Sequence, residues 1–184
     1  MKQADKQLHE KLWASAQQLR ANSSLKLNEV SEPILGLIFL KFADVQFQKA
    51  KKDLERERTN IVRDSGSTRV RPVSDDEFKA KGVLFVPEKA TYSYLMSLPE
   101  NANIGNAINE AMKLIEEHNK DLAGVLPQNY TSLVKTVSEN DELLITLLKS
   151  FNQIPDDIEG DTFGGIYEYF LGQFALAEGQ NGGE

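Results

Sequence analysis

The sequence has no cysteine among its 184 residues, and only two histidines, one tryptophan and six prolines. Without cysteine there is no disulfide framework, no thiolate zinc site and no cysteine nucleophile. That suits a reducing cytoplasm. Long hydrophobic runs are absent too. The most apolar stretch, Ile34 to Val45, is broken by Gly36, Lys41 and Asp44, so no membrane span is expected. The opening, MKQADKQLHEKLW, holds no apolar signal core. Basic charge is scarce at one end, where residues 139–184 carry one basic side chain against ten acidic ones.

What is present is one domain's worth of chain, since a domain takes about 100–200 residues. That is enough to bury a core without staples. Its 21 basic and 28 acidic side chains leave a net of −7, which argues against a histone-like DNA binder. The distribution modifies that inference. Residues 1–81 carry 16 basic and 12 acidic side chains, a net of +4, and residues 82–138 carry 4 and 6, a net of −2. Residues 139–184, the last quarter, have a net of −9. Such asymmetry suggests two surfaces with different partners.

Spacing of apolar residues predicts helices. Leu8, Leu12, Ala16 and Leu19 lie on one face of a helix over 5–21, with Trp13 widening the stripe and Asn22-Ser23-Ser24 ending it. A long helix is expected over 31–58, capped by Ser31 (Asn28 is the alternative) with Pro33 in its first turn. Its segment Ile34–Phe42 is apolar almost all round, the mark of a central core helix. Beyond Phe47 it turns charged, with an attractive Lys51–Glu55 spacing and a repulsive Lys52–Arg56 one.

Residues 59–81 read as a break and a flexible arm, through Thr59-Asn60, Asp64-Ser65-Gly66-Ser67 and Arg71-Pro72. GVLFVP, 82–87, is the best strand candidate. A short helix follows over 92–98, then one from an Asn103 cap to about Asn119 with Ile104, Ile108, Ala111, Met112 and Ile115 on one face. Residues 121–137 read as irregular. Ser138 with Asp141 resembles a capping box for a helix through Phe151 with Leu143, Leu144, Leu147, Leu148 and Phe151 as its stripe, and Asp161 can cap a last helix, apolar along Ile166, Phe170, Phe174 and Ala177, that Gly179, Gly182 and Gly183 stop. The expected fold is mainly α: a bundle-like domain of five or six helices with at most a short strand or hairpin.

Catalytic constellations are missing. His9 and His118 each lie on a predicted helix face without a partner set of the HExxH kind, and read as ordinary surface histidines. Asp156, Asp157, Glu159 and Asp161 lack the ligand spacing and closing Glu of an EF-hand. Phe163-Gly164-Gly165 and Gly182-Gly183 form neither GxGxxG after a strand nor a Walker loop. No catalytic or metal-ligating residue is therefore assigned. The binding signal is basic: Arg56, Arg58, Arg63, Arg69, Arg71, Lys79 and Lys81 surround the arm, where they could neutralise phosphates without reading bases. Asp64, Asp75, Asp76 and Glu77 are interleaved with them.

The order of segments resembles a known family. LHEKLWASAQQLR, LGLIFLKFADVQF, GVLFVPE, NIGNAINEAMKLIEEHN, GVLPQNY and DTFGGIYEYFLGQFALAEGQNGGE are together similar to the N-terminal helical region of the modification (M, or HsdM) subunit of type I restriction–modification systems. The resemblance covers nearly the whole chain. In that family the closing segment leads into a Phe-Tyr-Thr-Pro-type motif that opens an S-adenosylmethionine-binding methyltransferase domain. This chain stops at Glu184, and none of its prolines is followed by another, so the family's Asn-Pro-Pro-Tyr/Phe motif is absent.

The resemblance implies residues 1–160 as an N-terminal helical domain, with 59–81 as its basic arm. It implies 161–184 as a helix and Gly-rich linker toward a missing catalytic domain. The parent would methylate adenine N6 in DNA with S-adenosylmethionine. This piece would hold no cofactor of its own, with Glu184 at most at the edge of that site. Implied partners are the specificity (S) subunit, a second M subunit, the restriction (R) subunit and duplex DNA, in the cytoplasm. Methylating a base requires taking it out of the stack, so the enzyme must enclose the duplex. A helical domain can supply one wall of that enclosure. The competing reading is a protein-interaction module with no DNA contact.

Overall fold

The computed structural model describes residues 3–21, 25–66, 71–137, 142–156 and 160–181. Eight α-helices are formed among the described residues: α1 Gln3–Ala21, α2 Leu27–Ser65, α3 Asp75–Ala80, α4 Tyr92–Ser97, α5 Ile104–His118, α6 Tyr130–Val137, α7 Glu142–Asn152 and α8 Gly160–Asn181. Five are substantial; α3, α4 and α6 have only six to eight residues each. The mainly α fold expected from periodicity is present, with more short helices than apolar spacing alone revealed.

The core sits around the first two-thirds of α2. Ile34, Leu37, Ile38 and Leu40 are fully buried there, and α1, α3, α4, α7 and α8 all pack on this helix. The stripes expected on the other helices face it: Leu12, Ala16 and Leu19 of α1; Leu144, Leu147, Leu148 and Phe151 of α7; Ile166, Phe170 and Phe174 of α8. Trp13 packs edge-on against Phe170 at 5.3 Å and Phe174 at 5.1 Å, which locks α1 to α8. Ser15 donates to Ser150 at 2.9 Å across the α1–α7 contact.

Several boundaries differ from the sequence reading. The long helix starts at Leu27, not Ser31 or Asn28. The Lys26 backbone N–H donates to the Glu29 carboxylate at 2.7 Å, half of a capping box, and Ser31 merely back-bonds to the Asn28 carbonyl inside the helix. Pro33 is therefore internal to α2. The break expected at residue 59 is also absent. Helix continues through Ser65 and ends at Gly66, whose φ of 67° is the left-handed cap that glycine adopts without strain.

Residues 82–87 form no strand: Gly82 lies in a turn with a φ of 70°, and 83–87 carry no regular secondary structure. The Asn119 side chain substitutes for a neighbouring strand. It accepts from the Phe85 N–H at 3.1 Å and donates to the Phe85 carbonyl at 2.9 Å. With both backbone groups of Phe85 satisfied by one carboxamide, no sheet is needed.

Residues 130–137, expected as irregular, form α6. The Asn109 carboxamide accepts from the Tyr130 N–H at 3.0 Å and so caps it. The Tyr130 hydroxyl, fully buried, donates to the Pro33 carbonyl at 2.7 Å. Gly105 and Gly36 make this possible. A Cβ on Gly105 would sit 3.0 Å from the Tyr130 carbonyl, and one on Gly36 would sit 2.5 Å from both the Pro127 ring and the Tyr130 hydroxyl. At the C-terminal end, α8 begins at Gly160, so Asp161 lies within its first turn, and the helix runs past Gly179. Ser138, Asp141, Gly182 and Gly183 lie outside the described residues.

Candidate nucleic-acid interface along α2

One face of α2 is polar where the sequence looked most apolar. Lys41 and Asp44 interrupt the hydrophobic segment, and the fold buries both rather than turning them to water. A buried charge needs partners. The Lys41 ammonium donates to Asp156 at 3.1 Å and to the Asn152 side-chain Oδ1 at 3.3 Å, and lies 5.2 Å from the centre of the Tyr92 ring. Its side chain is 4% exposed, while that of Asp156 is 86% exposed. The basic front of the chain thus meets its acidic tail across 115 positions. Asp44 accepts from the Gln48 amide at 3.2 Å and from the Tyr92 backbone N–H. Burial still raises its pKa above the ordinary aspartate value.

These residues floor a cavity of about 670 Å³ between α2, α4 and the end of α7. Its walls include Tyr92, Ser93 and Met96 of α4 and Asn152 of α7. On the α2 side it continues through Val45, Gln48, Lys49, Lys52, Asp53 and Arg56. Lys49, Lys52 and Arg56 are exposed at its mouth.

The basic residues predicted to face phosphates divide into two sets. Arg58 and Lys81 hold the fold together. The Arg58 guanidinium donates to both carboxylate oxygens of Glu77 and to the Arg71 carbonyl, and Lys81 pairs with Glu57 at 3.1 Å. These contacts dock α3 on α2, helped by Phe78 packing between Phe47 and Phe85 at 4.6 and 5.6 Å. The expected arm is therefore in large part structured, with helix on both sides of residues 67–70. Arg56, Arg63, Arg71 and Lys79 are exposed. Arg56 lines the cavity; the other three do not. Arg69 lies outside the described residues, as do Asp157, Glu159 and Glu184. Glu77 accepts from the Ser74 backbone N–H at 2.7 Å and pairs with Arg58, which together lower its pKa to about 2.

The histidines part company. His118 is on the surface, its Nδ1 3.0 Å from Asp75 and its ring 5.1 Å from that of Phe85. His9, expected on the surface, is buried between α1 and α8 against the Tyr169 ring at 5.2 Å. Its position between the Leu8 and Leu12 stripe and an aromatic helix face accounts for the difference. Neither ring nitrogen has a hydrogen-bond partner, and burial lowers its pKa, opposed by Asp5. Among the described residues, no group of three or more His, Asp or Glu could hold a metal ion, and no helix is long and apolar enough to cross a membrane. Sequence reasoning missed Lys41, Asp44, Lys49 and Lys52 as site residues. The available signal was two charges inside an otherwise apolar helical run.

An all-helical domain with a polar groove on its central helix matches a recognised class: residues 8–151 correspond to the HsdM N-terminal domain, and the chain belongs to that family. It is also similar to the type I restriction enzyme MjaIX methylase subunit of Methanocaldococcus jannaschii, with 31% identity over 182 aligned residues. The alignment covers 94% of this chain and 32% of that protein, so the chain spans about a third of the relative's length.

Proposed function

We propose that this chain is the N-terminal part of a type I modification subunit, that it forms one wall of the enclosure around duplex DNA, and that it docks the specificity subunit. The observation that carries the reading is the match to the HsdM N-terminal domain over residues 8–151. The polarised charge supports it, with a basic face on α2 and a net of −9 over residues 139–184. The domain positions DNA and partners and performs no chemistry of its own. Methyl transfer from S-adenosylmethionine to adenine N6 belongs to the rest of such a subunit. A second modification subunit and the restriction subunit complete the assembly, in the cytoplasm.

Hydrogen exchange on the reconstituted modification–specificity complex tests this reading. Duplex DNA is expected to slow exchange in α2, and the specificity subunit to slow it elsewhere in the domain. No DNA-dependent protection anywhere in residues 8–151 would refute the DNA-facing role.

A second reading, a pure protein-interaction module, is favoured by one observation. Tyr167 and Leu171 of α8, one turn apart on the same face, are 41% and 44% exposed, an apolar patch rather than a solvated one. Protection appearing only on addition of protein partners would select it.

A further inference from the structure

We infer that the open face of α2 is a track for one phosphodiester strand, with Lys49, Lys52 and Arg56 as its phosphate contacts. This rests on the DNA-facing reading above and moves the contact away from the arm, onto the helix itself. Three observations carry it.

The first is register. Steps of three and four residues put Lys49, Lys52 and Arg56 on one face of a rigid helix. Seven residues at about 1.5 Å rise span about 10 Å, roughly three phosphates of one strand at about 3.4 Å each along the duplex axis.

The second is availability. Arg58 and Lys81 are tied to Glu77 and Glu57, whereas Lys49, Lys52 and Arg56 are exposed and belong to no ion pair among the described residues. A cation held by a carboxylate must give up that pair before it can neutralise a phosphate and release the counterion condensed there; a free one need not.

The third is the state of the carboxylates in the groove. Asp156 sits on Lys41, and Asp44 is held by Gln48 and the Tyr92 N–H. Only Asp53 remains to oppose three cations at the mouth. The Lys41–Asp156 pair thus leaves the hydrogen-bonded Asp44 as the one uncompensated carboxylate of the floor, and three cations against Asp53 leave the rim positive. No base edge is read by such a site, because lysine and arginine heads on a backbone carry register without sequence.

The test uses the reconstituted modification–specificity complex and a fluorescent duplex containing its target, titrated at several salt concentrations. The triple variant Lys49→Gln/Lys52→Gln/Arg56→Gln is compared with Arg63→Gln/Arg71→Gln and with a matched loss of three exposed charges away from the groove, Lys11→Gln/Lys89→Gln/Lys120→Gln. Circular dichroism confirms that each folds, which exposed helix positions permit. Loss of three phosphate contacts is expected to flatten the slope of log K against log salt by about 2.7. Between 50 and 200 mM salt, the unmodified complex should then lose about 40-fold more affinity than the groove variant. An unchanged slope in the groove variant, with a flattened one in Arg63→Gln/Arg71→Gln, would overturn the track and leave the DNA-facing reading standing. Equal flattening in the matched control would also overturn it, since bulk charge alone would then suffice. No change in any variant, together with no DNA-dependent exchange protection, would remove both.

Discussion

Between Val30 and Leu54, α2 is threaded through the core and packed among other helices; between Glu55 and Ser65 the same helix runs into water, with only Arg58 and Val62 half-covered. The backbone does not register the change. In the first stretch, tertiary packing would hold almost any apolar sequence helical. In the second, the ion pairs of Glu57 and Arg58 with Lys81 and Glu77 lend support on one side, and a left-handed Gly66 ends the helix. The buried stretch is therefore the place where side chains are constrained to fractions of an ångström. The free stretch is where they are available to a partner. The groove cations lie at the junction, rooted in the rigid stretch and projecting from it.

The sharpest way to break this contrast is at Gly36. A methyl group there meets the Pro127 ring and the Tyr130 hydroxyl at 2.5 Å, so Gly36→Ala should lose about 3 kcal/mol in urea unfolding. An effect under about 1 kcal/mol would show that α6 can retreat from α2 easily. Removing only the hydroxyl is milder. Tyr130→Phe deletes the bond to the Pro33 carbonyl and should lose about 1 kcal/mol by the same assay.

Acid separates other parts of the fold by their windows. His9 is held neutral by burial, so its pKa is below 6.5 in the folded chain. The unfolded chain then binds the extra proton first, and stability falls as pH drops below 6.5. His9→Phe should flatten the melting temperature between pH 7 and 5, and an unchanged pH profile would refute the role of His9. Glu77 acts lower. Its pKa falls from 4.5 to about 2, so its contribution is complete above 4.5 and disappears as pH falls toward 2. Glu77→Gln should speed amide exchange in α3 at neutral pH and leave α5 protected. The smallest effect belongs to the free stretch. Ile61 is 64% exposed, and Ile61→Ser should shift stability by less than about 0.5 kcal/mol. A larger loss would mean that this half of α2 is packed against something.

Much of the fold was legible because its helices are amphipathic. The stripes of α1, α5, α7 and α8 point inward as their spacing predicts, and Asn103 caps α5 by accepting from the Asn106 N–H at 2.9 Å. The misreadings share a cause. The helix formed by 59–65 has no apolar stripe to announce it, and α6 owes its start to Asn109, a residue 21 positions away. The 82–87 segment looked like a strand because its composition is strand-like, yet Asn119 supplies Phe85 with the hydrogen bonds a neighbouring strand would have given. Of the candidate site, the abundance of basic residues near 56–81 was visible. Which of them were already engaged was not.

Composition and spacing alone establish the helical class, the apolar faces and the split between a basic front and an acidic tail. Those properties are local, written within one or two turns of chain. The use made of each charge is set by the folded arrangement. Lys41 finds Asp156, Arg58 finds Glu77 and Lys81 finds Glu57 across 115, 19 and 24 positions, and those partners decide which cations stay open to phosphate. A Coulombic pair a few ångströms apart depends on where two distant segments come to rest, and one-dimensional spacing carries no record of that distance.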